Sequence, residues 1–148
     1  MTFSRSRFKM RSFLFFSFIW FLVALIPRSL PAQELEEKMA SSQEMVAKAW
    51  EESGQNNLEK VIEWTTACEN LYGPRARQLQ SELNNFPPRE QKKDYQVLND
   101  VAVCLFIRAE ALMNNGKTQE AQALFQKIGD EFKWAQAWDP RGWFWSVA

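Results

Sequence analysis

The sequence predicts an all-α protein: a short solenoid of antiparallel helix pairs, closed by an aromatic C-terminal cap. Three observations carry this. After residue 40 apolar residues recur with the 3.6-residue period of amphipathic helices, and no segment alternates with period two over a useful length. The breaks between periodic segments are short, which makes consecutive helices neighbours in space. Four of the seven tryptophans fall between Lys133 and Ala148, where a lid on the last helix pair would sit.

The elements follow in order. Residues 1–32 are set apart by charge: Arg5, Arg7, Lys9, Arg11 and Arg28, with no acid. A basic stretch, the apolar run Phe13–Ile26 and the small-residue end "PRSLPA" form the pattern of a secretory signal cut after Ala32. The apolar run is shorter than the roughly 20 residues a membrane-spanning helix needs. The domains expected are thus a signal peptide, 1–32, and a helical domain, 33–148, in the periplasm or secreted. The alternative is N-terminal anchoring in the inner membrane, with membrane contact through residues 12–27 only. The 33–148 part holds 13 basic and 18 acidic side chains, a net charge of −5, which speaks against nucleic acid as a partner.

Within that domain "EMVAKAWEES" places Met45, Val46, Ala49 and Trp50 on one face, and Gly54 stops the helix. A second helix carries Leu58, Val61, Ile62, Thr65, Cys68 and Tyr72 and is expected to end at Gly73-Pro74. A shorter helix follows with Ala76, Leu79 and Leu83, and Pro87-Pro88 breaks the chain. The longest helix spans roughly 94–114, with Leu98, Val101, Ala102, Leu105, Ala109 and Leu112 in its stripe. After "NNGK" the last long helix turns Ala121, Leu124, Phe125, Ile128 and Phe132 inward. Asp139-Pro140 reads as the N-cap and first position of a short final helix. In that helix Trp143 shares a face with Val147, and Trp145 keeps an unused aromatic edge. Five or six helices result.

The stretch "VAVCLFIRAEALMNNGKTQEAQALFQKIGDEF" resembles a tetratricopeptide repeat. Ala109 and Ala121 fall where that motif takes small residues, and Leu112, Gly116 and Phe125 also match; Arg108, Ile128 and Lys133 depart from it. A poorer copy, "VAKAWEESGQNNLEKVIEWTTAC", fits with two extra residues in its turn. The resemblance implies a helix-pair scaffold that binds a protein or peptide along the concave surface made by the first helices. By position it points to Val103, Phe106, Glu110 and Met113 in the stronger copy, and to Glu44, Lys48 and Glu51 in the weaker.

Catalytic chemistry finds little support. The chain has no histidine, so it has neither a Ser-His or Cys-His relay nor an imidazole metal ligand. No glycine-rich loop follows a strand, so no nucleotide site is expected; no cofactor or metal is implied. Paired carboxylates are the one acid–base option: Glu51-Glu52, Asp130-Glu131, and Asp139 beside Trp138. Cys68 and Cys104 form a disulfide if the compartment is oxidising, or stay as apolar-packed thiols. The expectation is an exported, non-enzymatic helical-repeat protein that mediates protein–protein interaction or assembly of an envelope complex. Self-association is one form of this, and Trp143 or Trp145 is the docking edge. The alternative is a small exported enzyme using paired carboxylates, for example on glycans.

Overall fold

The computed structural model describes residues 40–139 and 141–148. The signal-peptide reading and its cut after Ala32 lie outside the described residues. Among the described residues the chain forms four α-helices: α1 (Ser42–Gly54), α2 (Leu58–Ser81), α3 (Gln96–Asn114) and α4 (Thr118–Glu131). A 3-10 turn at Arg89–Gln91 precedes α3. Two short antiparallel strands follow α4: β1 (Gln136–Trp138) and β2 (Phe144–Ser146). The architecture is an all-α four-helix bundle with a small C-terminal β-hairpin. None of these helices is long and apolar enough to cross a membrane.

α1 starts on a capping box. Ser41 accepts the Glu44 N–H while the Glu44 carboxylate accepts the Ser41 N–H at 2.7 Å. α1 and α3 end alike. In the first, Asn57 N–H donates to the Glu52 carbonyl and Asn56 N–H to Ser53; in the second, Lys117 N–H donates to Leu112 and Gly116 N–H to Met113. Both are Schellman motifs, which need a left-handed residue just past the helix. Asn56 supplies it at φ +56° and Gly116 at φ +75°. Each turn spends three residues between helices, so the two helix pairs superpose in sequence without an insertion: Asn56, not Gly54, is the counterpart of Gly116. Buried residues then match in the same register: Ser42 with Ala102, Met45 with Leu105, Ala49 with Ala109, Val61 with Ala121, and Cys68 with Ile128.

Two sequence expectations are corrected. Gly73-Pro74 does not end a helix: α2 runs through both to Ser81. Pro74 removes the N–H that would have bonded the Asn70 carbonyl, a loss of about 3 kcal/mol in a helix interior. The buried stripe continues across it through Cys68, Gly73, Ala76 and Leu79, and that burial wins. Asp139 does not cap a helix either. Its carboxylate accepts the Arg141 N–H and the Arg141 guanidinium, its own N–H donates to the Trp143 carbonyl, and the chain reverses into β2. The aromatic tail is therefore a hairpin, not a sixth helix.

The core sits between α2 and α3, which pack together along most of their length; α1 leans on both and α4 on α3. Leu98, Val101, Ala102, Leu105, Ile107 and Phe132 are fully buried within it. Ala109, Leu112 and Ala121 make a second small cluster where α3 meets α4. The inward stripe expected for the longest helix is buried in full. Cys68 and Cys104 face each other in the core as free thiols. The hydrogen bond to Cys68, together with burial, pushes the Cys104 thiol far above the usual range.

Candidate functional site

The tail builds a wall. After α4 the chain folds back over the end of α2, where Trp134 N–H donates to the Gln80 side chain at 2.9 Å and its ring meets Phe86 edge-on at 5.2 Å. Gln136 N–H then donates to Asn99 Oδ1 of α3 at 2.8 Å, which pins β1 to that helix. Register pairs Ala137 with Trp145 and Trp138 with Phe144. Ala137 and Trp145 face the helices, where Trp145 packs on Phe106 at 5.3 Å. Trp138 and Phe144 meet on the other face with ring centroids 5.0 Å apart and planes tilted by 59°.

Between this wall, α1 and the N-terminal half of α3 lies an open cavity of about 540 Å³. That is within the range of ligand sites. α1 contributes Gln43, Val46 and Trp50; α3 contributes Gln96, Asn99, Asp100 and Val103; the hairpin contributes Gln136, Trp138, Asp139 and Trp145, with Lys92 at the rim. Under the register set by the turns, Gln43, Val46 and Trp50 are the α1 counterparts of Val103, Phe106 and Glu110. Glu44, Lys48 and Glu51, the positions to which the poorer repeat copy points, are exposed and line no part of the cavity.

Asp100 is the charged residue at its floor, 6 % exposed. Burial pushes its carboxyl above the usual range, against the opposing effect of hydrogen bonds from Ser42 and Gln96, each 2.6 Å. A carboxyl whose folded pKa is raised loses stability as pH rises from its unfolded value of 3.8 through the folded one. Asp100→Asn is neutral at all pH, and its carboxamide still accepts from Ser42. Its stability relative to wild type should therefore rise between acidic and neutral pH. Urea midpoints measured across that interval check this; a constant difference is the contrary result. Asp139 behaves oppositely: hydrogen bonds from the Arg141 side chain and backbone hold its carboxyl down at about 2.

The predicted partner residues divide. Val103 and Trp145 line the cavity. Phe106 stands behind Trp145, with its ring also against Phe125 at 5.9 Å, so it supports the wall and is no groove surface. Glu110 is half-buried, its carboxyl raised by burial. Met113 and Trp143 are exposed and away from the cavity, Trp143 beneath the Arg141 guanidinium at 4.4 Å. The sequence reading missed Trp50, Asn99, Asp100 and Trp138. No cluster among the described residues has the make-up of a metal site. Compared with protein-family models, curated proteins and solved structures, the chain matches none.

Proposed function

We propose that this is an exported helical-repeat protein that binds a segment of another protein in the cavity between α1, α3 and the hairpin, as part of an envelope assembly. The observation that carries the reading is the cavity's make-up: three tryptophans (Trp50, Trp138, Trp145) with the side chains of Gln43, Asn99 and Gln136 between them. Aromatic anchors supply contact area at low entropic cost, and amides can satisfy the polar groups of a peptide. The tetratricopeptide-like reading fits the same place, because the cavity lies on the first helices of two pairs with matching turns. A photoreactive residue placed at Gln43 in the full chain, in the cells that make it, is expected to give one dominant crosslinked protein, or a second copy of this chain. The same residue at Arg75 should give none. Equal labelling from both positions, or none from Gln43, defeats the proposal.

One observation favours a second reading. Asp100 and Asp139 line the same cavity, and their environments push their carboxyls in opposite directions. Two carboxyls in one cavity pushed in opposite directions are what an acid–base pair requires. Both Asp100 oxygens already accept internal hydrogen bonds, and Asp139 is held by Arg141, so binding is the reading we favour. Release of reducing ends from a polysaccharide panel, abolished in Asp100→Asn and Asp139→Asn alike, would reverse that preference.

A further inference from the structure

The register of the hairpin determines which backbone groups β2 leaves unused. Asp139 N–H donates to the Trp143 carbonyl at 2.9 Å and Val147 N–H to the Ala135 carbonyl at 3.2 Å. Hydrogen-bonded pairs alternate with non-bonded ones in an antiparallel ladder, so Trp138–Phe144 and Gln136–Ser146 are the non-bonded pairs. The N–H and C=O groups of Gln136 and Trp138 therefore point away from β2. One is taken, the Gln136 N–H by Asn99. The Gln136 carbonyl and both backbone groups of Trp138 carry no hydrogen bond among the described residues. Both residues line the cavity. Such edge groups are complementary to the backbone of another extended chain.

The charge at this edge has a sign. The Arg89 guanidinium lies 4.8 Å and the Lys92 ammonium 4.9 Å from the Trp138 ring centroid. Among the described residues neither joins an ion pair; Arg89 has only a long contact, 3.5 Å, to the Gly142 carbonyl. Asp139, next to Trp138 in sequence, is occupied by Arg141. We propose that β1 accepts, as a third strand, an extended polypeptide segment whose acidic side chain lies against Arg89 and Lys92. This rests on the peptide-binding reading above and specifies the conformation and charge of what binds. Backbone groups on one edge repeat every second residue, about 7 Å apart, so the segment must bond through alternate residues.

The probe is a phage-displayed library of random 12-residue peptides selected on the full chain, with binders of the Trp50→Ala variant subtracted. Enriched peptides are expected to contain Asp or Glu. Synthesised with single backbone N-methyl groups, they should lose binding at least tenfold at alternate positions and little between them. Saturating peptide should slow hydrogen exchange at the Trp138 amide. Replacing both exposed cations, Arg89→Ala with Lys92→Ala, should weaken binding about 3- to 10-fold and reduce its salt dependence. Enriched peptides that tolerate N-methylation throughout, or leave the Trp138 amide unchanged, overturn strand addition while sparing peptide binding. Peptides indifferent to the double substitution overturn the acidic specificity. No enrichment at all overturns the peptide-binding reading and strand addition with it.

Discussion

Phe132→Ala is expected to cost about 3–5 kcal/mol of stability. Phe132 heads the largest fully buried side chains and has no exposed surface. It stands where α4 gives way to the tail: its N–H donates to the Ile128 carbonyl and its own carbonyl accepts the Ala135 N–H, both at 2.9 Å. Truncation loses the transfer free energy of the ring and leaves a void that backbone fixed on both sides cannot fill. Urea titration should show a lower midpoint at an unchanged slope, since the surface exposed on unfolding stays much the same. A loss under about 1 kcal/mol would mean that the tail collapses into the space, and that the core is less well specified than its burial implies.

The second large effect centres on Glu69. It accepts hydrogen bonds from Arg108 on α3 and Lys127 on α4, and so ties three helices at one carboxylate. Burial pushes its carboxyl up, but the hydrogen bonds and charges of Lys127 and Arg108 outweigh that and leave it lowered. Arg108 is only 12 % exposed, and its Nε is buried without a partner. Glu69→Leu strands that guanidinium, and removing one member of a buried pair costs about 3 kcal/mol or more. Arg108→Leu in the same chain removes the stranded charge, so the double variant should be more stable than Glu69→Leu alone. A double-mutant cycle from urea midpoints gives the coupling; additive losses would mean that the pair is solvated rather than shielded. The lowered carboxyl has a pH signature: its contribution is full above the unfolded value of 4.5 and fades as pH falls through the folded one.

Much of the scaffold was legible in sequence because helix faces repeat. The expected stripe of α3 is buried in full, that of α2 at Val61, Thr65 and Cys68 with Leu58, Ile62 and Tyr72 half-buried, and Ala109 and Ala121 meet where the turn puts them. What escaped was chemistry with two outcomes. Gly73-Pro74 has the form of a helix stop, yet one missing hydrogen bond yields when the apolar stripe continues beyond it. Asp139-Pro140 has the form of a helix start. An aspartate accepting the N–H two residues on also opens a reverse turn, and strands of three residues are too short to declare a period. Gly54 drew attention as the turn glycine, while the left-handed position belongs to Asn56, one of the few other residues that tolerate it. That two-residue slip changes which α1 residues correspond to Val103, Phe106 and Glu110: Gln43, Val46 and Trp50 under the observed turns. Asp100 was hidden because Ser42, which donates to its buried carboxylate, lies 58 residues away on α1 and only the fold joins them.

The Asn99–Gln136 and Gln80–Trp134 hydrogen bonds have a consequence in time. Each joins a helix made early in synthesis to a residue that follows α4. The four helices depend mostly on contacts between successive elements and can assemble as the chain emerges. The cavity cannot, because Trp138 and Trp145, two of its three tryptophans, follow all four helices in the chain. The cavity therefore takes shape only once the hairpin has been made.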